Sequence, residues 1–141
     1  MRTSSAKAKG RRMQDLVRDT FRHIFKEQLE PDDITSRQMG GSGVDVILTP
    51  AARKLIPFDV EAKNQEKLNV TSALQQASEN AKPDRIPLLI FKRNHGKVYA
   101  ALEFEHLVKL LYNQDLQKII VEVAQEKAAA LTEKLEEPTQ I

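Results

Sequence analysis

The sequence predicts an α/β domain with a mixed central β-sheet flanked by helices and extended by a C-terminal helix. Three observations lead there. Apolar periodicity runs in the order helix, strands, helix, strand pair, helices. Within the segment Pro57 to Lys63, apolar and charged residues alternate from Phe58 onward. The chain has 141 residues with 40% hydrophobic and 30% charged, the size and balance of one globular domain with a single core.

The elements follow in order. Met1 to Lys9 is rich in Ser, Ala and Lys and is expected to be a flexible basic leader. From Arg12 to Leu29 the residues Met13, Leu16, Val17, Phe21, Ile24, Phe25 and Leu29 recur at helical spacing, which predicts an amphipathic helix. Pro31-Asp32-Asp33 ends it, and Ile34 to Gln38 is a short first strand. Gly40-Gly41-Ser42-Gly43 forms a flexible loop before the β-branched strand Val44 to Leu48.

A connection opened by Thr49-Pro50 leads to the strand Pro57 to Lys63. There Phe58, Val60 and Ala62 share one face while Asp59, Glu61 and Lys63 share the other. Asn69 or Thr71 caps a helix reaching about Asn80, with Val70, Leu74 and Ala77 inward. Leu88 to Phe91 and Val98 to Leu102 read as a hairpin around Arg93-Asn94-His95-Gly96. Two helices close the chain, Glu105 to Tyr112 and a C-terminal helix over 114–136, before Pro138. Its apolar residues are expected to pack on the chain's own core before making a dimer contact.

Composition narrows the function classes. There is no cysteine, so disulfides and thiolate zinc sites are excluded. No apolar run of membrane-spanning length occurs and no apolar segment follows the basic N-terminus, so a cytoplasmic protein is expected. The net charge of +2 conceals an asymmetry. Arg2, Lys7, Lys9, Arg11, Arg12, Arg18, Arg22 and Lys26 face only Asp15 and Asp19, whereas the tail is acidic. A basic front end suits a polyanionic partner or else is a solvated leader.

The residues that carry chemistry are Asp45, opening one strand, and Glu61 and Lys63, two apart on the next. Neighbouring strands can bring them together. Two close carboxylates repel unless a cation lies between them, and hard oxygen donors suit Mg2+ or Mn2+. Such an ion, with phosphate completing its shell, serves phosphodiester hydrolysis by lowering the pKa of water and offsetting charge on phosphorus. Lys63 would position or deprotonate that water. The bland alternative is a solvated strand face with Asp45 closing a turn.

With these residues in place the chain resembles the PD-(D/E)XK nucleases, and within them the archaeal-type Holliday-junction resolvases and their phage counterparts. The resemblance rests on Lys9-Gly10, on Ser36-Arg37-Gln38-Met39-Gly40-Gly41-Ser42-Gly43-Val44-Asp45, and on Glu61-Ala62-Lys63. It spans roughly Lys9 to Leu102 and leaves the last helix without a counterpart. It implies a restriction-endonuclease-like core and a homodimer nicking four-way DNA junctions in strands of like polarity, in the host cytoplasm if phage-encoded.

By the same resemblance Asp45 and Glu61 are the metal acids, with the Ala62 carbonyl as a further ligand and Lys63 as the catalytic lysine. Gln14 stands where resolvases carry an acid and takes a supporting role. Arg37 and Ser42 match loop residues that grip backbone phosphate near the cut. Lys9, Arg11, Arg12 and Lys67 are candidates for further phosphate contacts, with Lys92, Arg93 and Lys97 behind them. Gln75 and Gln76 lie where relatives support the lysine. Asp59 is expected at the surface, as are His23, His95 and His106 unless structural. Two other readings stay open: a nuclease of this fold acting on ends, flaps or duplex, and a non-catalytic DNA-binding subunit.

Overall fold

Met13, Val17 and Phe21, four residues apart, give the first helix one buried edge, and this edge anchors the layer of strands beneath it. In the computed structural model, which describes residues 2–38 and 43–136, with side chains described for all of these but 2, 3 and 114–117, helix α1 spans Arg2–Ile24. The helix therefore starts ten residues before its apolar pattern does. The Ser, Ala and Lys residues expected to form a leader continue it as turns that are exposed from Ser4 to Ala8 and half-buried at Lys9. Leu16 and Ile24 fall outside the buried edge and are exposed, whereas Phe25 and Leu29 pack on the core from the turn after the helix.

After a 3-10 turn at Pro31–Asp33, strand β1 (Ile34–Ser36) pairs antiparallel with β2 (Val46–Leu48), Ile34 opposite Leu48 and Ser36 opposite Val46. Gly43 precedes β2 with φ of 99°, a conformation that favours glycine. The connection after Thr49-Pro50 contains a helix that periodicity did not reveal, α2 (Pro50–Leu55). Its start is nonetheless written in the sequence: the Thr49 hydroxyl accepts from the Ala52 N–H, and Pro50 occupies the first turn, where its missing N–H is harmless.

Strand β3 (Phe58–Asn64) runs parallel to β4 (Ile86–Lys92), and β4 is antiparallel to β5 (Tyr99–Ala101), giving a mixed three-stranded sheet. The turn between β4 and β5 holds His95 at φ of 56°. Helix α3 (Val70–Asn80) is the crossover between the parallel strands and is capped by Asn69, whose side chain accepts from Ser72 N–H at 2.9 Å. Val60 and Leu88 face α1 and join Val17, Ile34, Val46, Ala52 and Ile56 in the main core. Leu89 and Phe91 face the other way, toward Ala73 of α3.

The alternation in β3 is as expected, but its charged face is not solvated. Asp59 and Glu61 are both buried. Asp59, expected at the surface, instead accepts from Arg85 Nε at 3.0 Å and from the Lys82 N–H at 3.0 Å. Arg85 also donates to the carbonyls of Arg53, Ile56 and Phe58. One buried guanidinium thus ties the end of α2 to the start of β3 and β4. A lone buried charge at either position would be strongly unfavourable.

The chain divides into two compact units, Met1–Phe104 and Glu105–Ile141. The second contains α4 (Phe104–Tyr112) from Glu105 onward, and α5 (Gln114–Glu136). On α5 Ile120, Val121, Leu131 and Leu135 are exposed. Among the described residues no helix is long and apolar enough to cross a membrane.

Arg85→Leu should lower the unfolding free energy by about 3–5 kcal/mol, the usual effect of stranding one member of a buried ion pair. Asp59→Asn should have a smaller effect, because it leaves the carbonyl contacts of Arg85 intact. Urea titration of both variants checks this, and a loss below about 1 kcal/mol for Arg85→Leu, the scale of a surface pair, would show that the pair does not hold these elements together.

Candidate active site

Five side chains converge: Glu61 and Lys63 from β3, Asp45 from just before β2, Gln14 from α1 and Arg37 from the loop after β1. Asp45, immediately before β2, lies against the edge of β3 that β4 leaves open. Its N–H donates to the Val60 carbonyl at 2.9 Å and its carbonyl accepts from the Arg37 N–H at 2.9 Å. Its side chain, 2% exposed, accepts three hydrogen bonds: Gln14 Nε2 on Oδ1 at 3.1 Å, Arg37 NH2 on Oδ1 at 2.8 Å, and Ala62 N–H on Oδ2 at 2.7 Å.

A carboxylate has about four lone-pair sites. One site, on Oδ2, therefore stays open to a cation. The N–H and C=O of one strand residue leave by the same edge, so the Ala62 carbonyl is directed to the side where its N–H meets Asp45. That is the direction a carbonyl ligand at this position requires.

Gln14 is 6% exposed because it falls beside Met13 on the buried edge of α1. Its amide is oriented by Asp45: the NH2 end donates to the carboxylate, so the oxygen must point elsewhere. Gln14 Oε1 is buried and has no hydrogen-bond partner. Asn64 Oδ1, at the end of β3, is likewise buried and unpartnered. Orphaned buried acceptors are uncommon and ask for a donor or a cation.

Glu61 is 4% exposed. Lys63 Nζ lies 3.5 Å from its Oε1, and Asn80 Nδ2 donates to its Oε2 at 3.3 Å. Burial, and next the nearby Asp45 carboxylate, push the Glu61 pKa up, against the opposing pull of Asn80 and Lys63. Asn80 escaped the sequence reading, which saw only a helix end. The signal was the β3–α3–β4 crossover, since the helix runs back against parallel strands and returns its C-terminal residues to the strand carrying Glu61.

Gln14, Arg37, Asp45, Glu61, Ala62 and Lys63 thus line one hollow of about 210 Å³. A water occupies about 30 Å³ of liquid volume, so the hollow has room for an ion with several waters. Gln76 lines it and Gln75 does not. Arg11 lies in an adjoining groove with Arg18 and Arg37. Lys9 donates instead to Asn94 Oδ1 at 2.8 Å, and Arg12 and Lys67 are exposed outside these hollows. Ser42 lies outside the described residues. Asp15, next to Gln14, is turned to Ser36 and Arg18.

No protein-family model, curated protein or solved structure matches the chain. The site must be judged on its own chemistry. The donor set fits a hard divalent cation: two buried carboxylates, an unpartnered amide oxygen and a strand carbonyl, all oxygen.

Because the folded-state pKa of Glu61 lies above its ordinary value, this residue favours folding at low pH and opposes it as pH rises through the raised value. In EDTA, wild type should therefore lose stability relative to Glu61→Gln between about pH 4, near the usual glutamate pKa, and neutrality. Thermal unfolding midpoints of the two proteins across that range test it. A difference that stays constant with pH would remove the case for a strained, desolvated Glu61.

Proposed function

We propose that this chain is a divalent-metal-dependent DNA endonuclease of the PD-(D/E)XK type, acting on branched DNA as a junction resolvase. The observation that carries the reading is the meeting of Asp45, Glu61, Lys63 and Gln14 in one hollow, with the Gln14 amide oxygen left unpartnered. The order α1–β1–β2–α2–β3–α3–β4, with β1 and β2 antiparallel and β4 parallel to β3, supports a restriction-endonuclease-like core.

When bound, Mg2+ or Mn2+ would supply Lewis acidity to the phosphoryl group and a lowered pKa to water. Asp45, Glu61 and the Ala62 carbonyl would hold the ion. Lys63, with its ammonium beside Glu61, would orient the attacking water and offset charge developing on the phosphate. Gln14 keeps Asp45 turned to its place without adding a third negative charge, so the residues present suit one ion better than two. Arg37 would grip the phosphate next to the cut, and the basic residues of α1 would add contacts that depend on salt rather than sequence.

Symmetric nicking of a four-way junction needs two sites related by a two-fold axis, so a homodimer belongs to this proposal. Cleavage of ends, flaps or plain duplex is the alternative substrate class. A non-catalytic subunit is the alternative function.

With Mg2+, purified protein should nick a labelled immobile four-way junction in preference to linear duplex of the same sequence. Asp45→Asn and Lys63→Ala should each reduce the rate by about 10²-fold or more, the scale of losing one transition-state contact, while junction binding in EDTA persists. Equal cutting of duplex would move the substrate class to the alternative. Unchanged activity in both variants would end the catalytic reading.

A further inference from the structure

Arg37 lines three hollows rather than one: the acid pocket, the groove with Arg11 and Arg18, and a cleft on the far side of Asp45. The walls of this last cleft carry Arg53 of α2 and Lys82 just beyond α3, with Asn80 between it and Glu61. Its floor is aliphatic: among Val44, Val46, Ile47 and Leu48, which line it, Ile47 presents an exposed side chain while Val46 lies in the core. Neither Arg53 nor Lys82 has an ion-pair partner among the described residues. The acid in the cleft, Asp59, is already neutralised by Arg85. The cleft therefore presents net positive charge over an apolar floor, continuous through Arg37 and Asn80 with the acid pocket.

We infer that this cleft is a binding track for a nucleic-acid strand, with Arg53 and Lys82 taking backbone phosphates beyond the one held at Arg37. A phosphodiester strand alternates anionic phosphates with largely apolar sugar faces. Cations on the walls and aliphatic side chains on the floor match that alternation, whereas a small free anion has no use for the floor. The inference rests on the nuclease reading and extends it: the strand enters along the Arg11–Arg18 groove, passes the acids, and leaves over Arg53 and Lys82. It makes both residues grips on the strand and gives them no part in the bond-breaking step.

The test is binding of a fluorescein-labelled junction and of a duplex to the full chain in EDTA, by anisotropy over a range of NaCl. For Arg53→Gln/Lys82→Gln the plot of log K against log salt should be shallower than wild type by about 1.8, since each phosphate contact on duplex DNA contributes about 0.9. Arg53→Lys/Lys82→Arg should restore the wild-type slope, and matching urea midpoints would exclude misfolding as the cause. A slope equal to wild type in the glutamine variant overturns the inference. So does displacement of wild-type DNA by millimolar inorganic phosphate at constant ionic strength, which would mark a free-anion site.

Failure of the nuclease reading looks different. A salt slope that depends on Arg53 and Lys82 without Mg2+-dependent cleavage would keep the track and remove the enzyme. Cleavage that needs Asp45, with an unchanged slope, would do the reverse. No DNA binding by wild type would remove both.

Discussion

The first unit is joined along one edge. Strand β3 bonds to β4 on one side, and on the other it would expose unpaired backbone groups were Asp45 not there. Asp45 covers that edge twice, through its N–H to Val60 and through its carboxylate to the Ala62 N–H, and it receives the Arg37 N–H on its own carbonyl. Beyond the shared core, Asp45 therefore hydrogen-bonds the β1–β2 pair to the central sheet. The side chain proposed to hold a metal is also part of the sheet's closure. Its substitution by alanine would mix a catalytic loss with a structural one, and asparagine, which keeps the shape and an acceptor oxygen, separates them better.

Desolvation follows from the same closure. With α1 over one face and α3 over the other, Asp45 and Glu61 are removed from water within reach of each other, and the protein answers with opposite charge and amide donors rather than with solvent. Arg37 meets Asp45 at 2.8 Å, Lys63 lies 3.5 Å from Glu61, and Gln14 and Asn80 each turn an NH2 group to one acid. A third acid at position 14 would add repulsion to a pocket where burial and Asp45 already raise the Glu61 pKa. Glutamine relieves that repulsion and still leaves a buried oxygen without a partner.

The parts legible in the sequence were those with a short period or a local cause. Alternation in Phe58 to Lys63 showed which side chains share a face, and the glycine-rich loop ahead of Asp45 showed where an acid could open a strand. The parts hidden there depend on distant partners. Asp59 reads as a surface residue until Arg85, far along the chain, is folded onto it. Asn80 looks like an ordinary helix end until the crossover returns it to Glu61. The early turns of α1 carry no apolar pattern, yet Ala and Lys have high helix propensity and continue a helix whose later turns are anchored by packing. Helix α2 was signalled only by its cap, Thr49-Pro50, because six residues are too few to show a period.

Arg37 is where these constraints meet the proposed substrate. Its guanidinium is committed to Asp45, yet the buried Nε has no partner, so the group is only partly satisfied where it stands. In the nuclease reading Arg37 answers to two anions, the Asp45 carboxylate and a backbone phosphate, and its hold on Asp45 weakens as that carboxylate shares its charge with a cation. Arg37 can then turn its free donor to phosphate without leaving a bare acid behind. Grip on the strand and charge balance in the acid pocket become linked through one side chain. For such a linkage an arginine suits the position better than a lysine would: a lysine offers a single charged nitrogen, whereas a guanidinium spreads its donors in a fork that can serve two anions at once.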